Sequence, residues 1–235
     1  MIINPRRALL LSLALLVGFG VLAVLVAVPS TLRGVQVVDD AVHRGSVSLE
    51  WGPLIWLAKA FSFIGGTKVN WPVRVLVLVV LAGRRRWLQL AAFALAILTS
   101  ELLIGPLKVA YGRARPPHSL IATSGGSFPS GHAIAGAVTA VGLVLVLVAP
   151  GAKRWRWEVW AIGFATCMAL SRVYLSAHWL SDVVAGALLG GGLALGWPAA
   201  LQLSRERVRS SRLTTGSSAG EPPSPPSEPA VGGRR

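Results

Sequence analysis

The chain has 235 residues, of which 53% are hydrophobic and only 14% are charged, and its mean hydropathy is +0.62. This balance excludes an ordinary soluble domain and is typical of a protein that crosses a membrane several times. The formal net charge is +14, but the basic residues lie between apolar segments rather than on one face with stacking aromatics, which argues against a nucleic-acid partner.

Six apolar segments predict an all-α, polytopic membrane helical bundle with six transmembrane helices. In chain order the segments are 8–28, 69–82, 87–107, 133–148, 157–175 and 183–201. Residues 49–63 carry four aromatic side chains with one acid and one lysine, which predicts an amphipathic segment in the membrane interface. Small residues that permit close helix approach recur in the last segment, at Gly186, Gly190, Gly192 and Gly196. Residues 1–203 are therefore predicted to form one six-span membrane domain.

The distribution of basic residues predicts the orientation in the membrane. Lys and Arg cluster on one side of the predicted spans, at 6–7, 84–86, 153–156 and beyond 204. Because short cytoplasmic loops carry the excess of positive charge, both termini are predicted to be cytoplasmic in a plasma or inner membrane. From Ser204 onward the composition shifts to Arg, Ser, Gly and Pro, which predicts a disordered cytoplasmic tail over 204–235.

Three clusters of phosphate-binding and proton-carrying residues lie at the ends of apolar segments, at 108–116, 129–132 and 171–182. A membrane protein accommodates such side chains where they line a polar cavity, and three clusters on the same predicted outer face indicate one shared site. Lys108 can supply a point charge, and Arg115 and Arg172 can each supply a two-pronged fork, to one phosphate. Ser130 can cap the following helix, while backbone N–H groups from Gly131 onward point at an anion.

The third cluster also predicts a nucleophile. His178 and Asp182 are four residues apart, so they share one helical face, and the carboxylate can fix the imidazole tautomer. The other ring nitrogen of His178 is then free to attack phosphorus and form a phosphohistidine. His132 is placed to protonate the leaving group and later to activate water. Such chemistry needs neither metal nor cofactor, and we expect none.

These motifs resemble the three-part signature of the type 2 phosphatidic acid phosphatase superfamily. They are KVAYGRARP over 108–116, PSGH over 129–132, and Ser171-Arg172 followed after five residues by His178 and after three more by Asp182, and no position departs from the signature. The resemblance implies a six-span core, kinship with vanadate-binding haloperoxidases, and metal-independent hydrolysis of lipid phosphates or diphosphates. It implies the same roles: phosphate binding by Lys108, Arg115, Ser130, Gly131 and Arg172, acid and base catalysis by His132, and a nucleophile, His178, oriented by Asp182.

The expected substrate is therefore a lipid phosphate taken from the membrane at the extracytoplasmic face. Undecaprenyl diphosphate, phosphatidic acid and phosphatidylglycerol phosphate all remain open. A phosphotransferase that passes the phosphoryl group to a sugar or lipid hydroxyl would use the same residues. A protein that transports phosphate or another anion would share the cations but would not need the His178 and Asp182 pair.

Other phosphatase classes lack support in the sequence. A cysteine phosphatase needs an arginine six residues after its nucleophile, but Cys167 is followed at that position by Val173. A magnesium enzyme needs clustered carboxylates, and of the nine acidic residues only Asp182 lies in a motif. No glycine-rich loop ending in Gly-Lys-Ser/Thr indicates nucleotide hydrolysis.

Four polar residues outside the assigned roles carry separate expectations. Glu101 lies in the third predicted span, about two turns below Lys108 on nearly the same face. It could support the site from beneath, or it could be a protonated acid hydrogen-bonded to a neighbouring helix. Arg113 is expected to face lipid headgroups or to contact the substrate, and His43 and His118 are expected to be solvated.

Overall fold

The computed structural model describes residues 4–218, with side chains to residue 210, and in this range the chain is all-α. The helices are α1 Pro5–Ala27, α2 Pro29–Ser48, α3 Gly52–Ile64, α4 Thr67–Gly83, α5 Trp87–Tyr111, α6 Gly131–Leu147, α7 Arg154–Tyr174 and α8 Leu180–Ser218. The prediction of an all-α helical bundle is confirmed.

Fewer helices qualify as membrane spans than the six predicted. By length and composition α1, α5 and α8 can each cross a bilayer, and α3 with α4 qualifies only as a pair bent by 43° at a short break. The pair would be a fourth span, and α6 is a shorter apolar helix. The described residues thus hold three or four candidate spans on these criteria.

Helix α2 was not predicted from the sequence. It lacks the continuous apolar run of a span, and Arg33, Asp39 and Asp40 interrupt its apolar residues. Pro29 occupies its first turn, where a missing N–H is tolerated. Asp39 is the one buried residue of α2. Partly buried apolar side chains one to two turns away also pack against the core, so this helix packs a carboxylate within an apolar stripe.

The structure also differs from the predicted tail. Helix α8 continues to Ser218, so residues 204–218 are helical rather than disordered, while 219–235 lie outside the described residues. The sequence from Ala199 to Arg209 consists largely of Ala, Leu, Gln, Glu and Arg, which have high helix propensity. These residues therefore extend the helix beyond the apolar segment.

Helix α8 lies between α1 and α6, and glycines bring the helices close together. A Cβ atom on Gly186 would lie 2.6 Å from the carbonyl oxygen of Ser130, and one on Gly190 would lie 2.6 Å from that of Ile134. Gly196 faces α1 in the same way, 2.6 Å from the Ser12 hydroxyl. The predicted close packing of the last segment is confirmed, and it holds the N-terminal end of α6 beside that of α8.

Alanine at Gly186 is expected to push α6 away from α8 and to lower the melting temperature of the purified protein. Overpacking of this kind costs about 1–3 kcal/mol. Gly20→Ala is the matched control, because a Cβ at Gly20 meets no atom within 4 Å. Equal melting temperatures for the two variants would contradict a tight contact between α6 and α8.

Candidate active site

All three sequence clusters meet at one end of the bundle. They occupy the C-terminal ends of α5 and α7, the N-terminal end of α6, and the turn that leads into α8. His132 lies close enough to Lys108, Arg172 and His178 for their charges to act on it. Lys108 in turn lies within electrostatic range of Arg115. The convergence expected for one shared anion site is present.

Two of the cations are held by the loop between α5 and α6. The Nζ atom of Lys108 donates to the carbonyl oxygen of Gly126 at 2.9 Å. The Arg115 guanidinium donates to the carbonyl oxygens of Ser124 at 2.8 Å, Gly125 at 3.0 Å and Ala177 at 2.6 Å. These bonds fix the positions of the two charges before a ligand arrives.

The N-terminal end of α6 presents free backbone donors. As predicted, Ser130 is the N-cap, with its Oγ atom 3.5 Å from the Ala133 nitrogen, and its own N–H donates to the Asp182 carbonyl oxygen at 3.0 Å. Within the described part of the chain, the N–H groups of Gly131 and His132 have no acceptor. Unpaired N–H groups at a helix N-terminus form an anion-binding position.

Arg172 supplies a third, more deeply buried cation. Its side chain is buried, its Nη1 atom donates to the hydroxyl of Ser62 on α3, and its Nε atom has no partner among residues 4–210. A buried charged donor without an acceptor is costly unless a ligand provides one. The site is thus short of negative charge, and a phosphate would supply it.

His178 lies between Asp182 and Arg115. Its Nδ1 atom is 3.5 Å from Asp182 Oδ2, longer than a hydrogen bond, and its Nε2 atom is 3.3 Å from Arg115 Nη1. Catalytic hydrogen bonds are often long without substrate and shorten when it binds. Burial lowers the pKa of His178 to about 4, against the opposite effect of Asp182. The ring is therefore neutral at neutral pH, with a lone pair available.

Arg113 and Asp39 were missed as site residues. The Arg113 guanidinium donates to Asp182 Oδ1 at 2.7 Å and to Asp39 Oδ2 at 2.7 Å, and both carboxylates are buried. Arg113 itself is buried, so the expectation that it faces headgroups or substrate is wrong. Asp39 also accepts from the Ser181 N–H at 2.9 Å and from its hydroxyl at 2.5 Å. Arg113 therefore bridges Asp182 to a second buried carboxylate, Asp39.

Two further polar residues find partners that the sequence did not indicate. Glu101 pairs with Arg74 of α4, with 2.6 Å between Oε1 and Nη1. His43 lies 3.3 Å from the hydroxyl of Ser176 and contacts the edge of the Trp179 ring, so it is not a solvated loop residue. The described residues contain no group of three His, Cys, Asp or Glu side chains arranged to hold a metal ion.

Comparison with known proteins identifies the family. The PAP2 superfamily model matches residues 89–206, a range that includes all three clusters. Phosphatidylglycerophosphatase B of Bacillus subtilis strain 168 is 29% identical over 170 residues, 67% of this chain and 80% of that protein. Undecaprenyl-diphosphatase of Sulfolobus acidocaldarius is 40% identical over 68 residues, 29% of this chain and 30% of that protein.

A solved structure extends the similarity to the whole bundle. The transmembrane PAP2-type phosphatidylglycerolphosphate phosphatase of Bacillus subtilis is similar with a TM-score of 0.67 and 27% identity, covering 84% of this chain and 96% of that one. The superfamily match spans half of the chain and the described fold agrees with it. The chain belongs to the PAP2 superfamily and is a membrane lipid phosphatase.

Proposed function

We propose that the protein hydrolyses the terminal phosphate of a lipid phosphate, without a metal, through a phosphohistidine at His178, and that phosphatidylglycerol phosphate is its principal substrate. The observation that supports the chemistry is the buried His178 ring, which lies between Asp182 and Arg115 beside an anion site with unpaired donors. The substrate follows from the Bacillus relatives, whose matches cover most of both chains. The undecaprenyl-diphosphatase match is confined to a short segment.

In the first step, the Nε2 lone pair of His178 attacks phosphorus in line with the leaving oxygen. The phosphorus–oxygen bond breaks, and His132, which takes up a proton when the negative charge of the phosphate lies beside it, gives that proton to the leaving oxygen. Asp182 stabilises the positive charge that forms on the His178 ring. The oxygens of the transferring phosphoryl group are held by Lys108, Arg115, Arg172 and the free N–H groups of Gly131 and His132, so charge is stabilised where it develops.

In the second step, water hydrolyses the phosphohistidine. His132, now neutral, takes a proton from the water as its oxygen attacks phosphorus from the side that the leaving group vacated. The phosphorus–nitrogen bond breaks, its electron pair returns to Nε2 of His178, and inorganic phosphate leaves. Each histidine thus ends the cycle in the protonation state in which it began.

The membrane arrangement that fits this function has six spans. Helices α6 and α7 add two spans to the four candidates, which are α1, the bent pair α3–α4, α5 and α8. The phosphate site then lies at the headgroup level on the extracytoplasmic side, with both termini in the cytoplasm, as the basic loops favour. This depth lets a lipid keep its chains in the bilayer while its phosphate enters the polar end of the bundle.

A substrate panel tests the proposal. Purified protein in detergent should release phosphate from phosphatidylglycerol phosphate faster than from phosphatidic acid, lysophosphatidic acid or a polyprenyl diphosphate. Orthovanadate, which mimics five-coordinate phosphorus, should inhibit, and EDTA should not. Loss of activity in EDTA would overturn the metal-free mechanism. A phosphorylated acceptor in place of free phosphate would indicate a phosphotransferase, and phosphate uptake into proteoliposomes without hydrolysis would indicate transport.

A further inference from the structure

A polar chamber lies behind His132, between α4, α5 and α6. Its volume is about 170 Å³, room for a few water molecules or a small polar group. The polar side chains that line it are Thr67, Asn70, Arg74, Glu101 and His132. Glu101 is seven residues from Lys108 on α5, so the floor of the chamber lies about 10 Å deeper in the bundle than the phosphate site.

The polar side chains that line the chamber are only partly paired within the protein. The Arg74 side chain is 1% exposed and donates to Glu101 Oε1 at 2.6 Å and to the hydroxyl of Thr139 at 2.9 Å, but its Nη2 atom has no partner in the described residues. Thr139 donates to Asn70 Oδ1 at 2.7 Å, and no described atom accepts from the Asn70 amide nitrogen. The Glu101 side chain lines the chamber and is 35% exposed.

Charged residues inside a membrane bundle are costly and usually serve a function. The proposed mechanism uses neither Arg74 nor Glu101. We propose that the chamber binds the uncharged, hydroxyl-bearing part of the leaving group that is attached to the scissile oxygen. In phosphatidylglycerol phosphate this part is the glycerol. This inference rests on the proposed function, in which His132 protonates the leaving oxygen. Because His132 also lines the chamber, the atoms attached to that oxygen lie at the chamber entrance.

The charge of the chamber selects a neutral group over a second phosphate. Arg74 and Glu101 form an ion pair with no net charge, but Arg74 is 1% exposed and Glu101 is 35% exposed, so an anion in the chamber meets the carboxylate first and is repelled. A hydroxyl both donates and accepts, so it can pair with the Glu101 carboxylate and with the amide of Asn70. A diphosphate substrate would instead place its inner phosphate at this entrance, against the Glu101 carboxylate.

Glu101→Gln tests this selection. Glutamine keeps an oxygen for Arg74 but removes the negative charge, so the chamber becomes positive. The ratio of kcat/KM for phosphatidylglycerol phosphate to kcat/KM for a polyprenyl diphosphate should fall about tenfold, because the inner phosphate of the diphosphate no longer meets a negative charge. Glu158→Gln is the matched control, because Glu158 pairs with Arg154 in another part of the bundle, and its ratio should equal that of wild type.

The outcomes separate the chamber from the proposed function. A wild-type protein that hydrolyses neither lipid would refute the phosphatase mechanism. If wild type is active and the ratio of the two kcat/KM values is unchanged in Glu101→Gln, including by equal losses on both lipids, the proposed role of the chamber is refuted. If Glu101→Gln does not fold, wild type alone decides: it should prefer 1-acylglycerol 3-phosphate over its 2-deoxy analogue about tenfold, and equal rates would refute the proposal.

Discussion

Replacement of His178 by asparagine is expected to lower kcat for phosphate release by at least about four orders of magnitude, as loss of a covalent nucleophile does in other hydrolases. Asparagine retains an amide that can reach Asp182 but has no nitrogen that can attack phosphorus. Binding should survive, because the three cations and the α6 N-terminus do not depend on the ring. Phosphate release and the inhibition constant of orthovanadate, measured on the same preparation, separate the two effects.

His118→Asn is the matched control for this variant. His118 is exposed in the loop after α5, and its φ of 57° is a backbone conformation that asparagine adopts readily. Its activity should equal that of wild type. Retention of more than about 1% of kcat by His178→Asn would remove His178 from the nucleophile position, since an amide cannot replace the imidazole nitrogen that attacks phosphorus.

His132→Asn should behave differently from His178→Asn, and the contrast assigns the two roles. A nitrophenyl leaving group needs no proton, so His132→Asn should still release nitrophenol in a burst equal to the enzyme concentration and then stall as the phosphoenzyme. His178→Asn should show no burst. A burst in His178→Asn but not in His132→Asn would reverse the assignment.

Much of the site could be predicted because its chemistry is encoded locally. Ser130 caps α6 within one turn, and His178 and Asp182 lie four residues apart, so spacing alone indicates their relation. Arg113 and Asp39 are 74 residues apart and Arg74 and Glu101 are 27 residues apart, and neither pair leaves a local pattern. The composition gives one further indication. The chain has nine acidic residues against 23 basic ones, so a buried cation has few carboxylates, Asp39 among them, with which it can pair.

The span count shows a second limit of sequence patterns. Helix α6 has 17 residues and rises about 26 Å, less than the hydrocarbon core of about 30 Å. Helix α7 carries Arg154, Arg156 and Glu158 in its first turns and Arg172 near its end, so it is short of uninterrupted apolar sequence. Helix α6 therefore falls short of a span by length, and α7 by charges at both of its ends. Of those charges, Arg172 belongs to the polar site.

Asp39→Asn is expected to lower kcat about tenfold with little change in KM, since a charge within a few ångströms shifts the stability of a neighbouring ion by about one pKa unit. Arg113 lies between two carboxylates, at 2.7 Å from each. While Asp39 is charged, it offsets Arg113, and Asp182 keeps its negative charge available for the His178 ring. Without the charge of Asp39, Arg113 pairs with Asp182 alone. Asp182 then stabilises the positive charge that forms on the His178 ring less strongly.

Asp40→Asn is the control for the same chemical change one residue away, because Asp40 makes no ion pair with Arg113 and reaches it only through Gln36, which donates to Asp40 at 2.8 Å and accepts from Arg113 at 2.9 Å. Equal kcat values for the two variants would show that Asp39 has no part in the reaction. Arg113→Gln should be more severe than Asp39→Asn, because it leaves two buried carboxylates without their cation, a loss of about 3–5 kcal/mol in stability. Combining Arg113→Gln with Asp39→Asn should recover part of that stability, because only one buried carboxylate then lacks its cation. A fall in kcat in Asp39→Asn with little change in KM distinguishes a positioning role of Asp39 from a merely structural one.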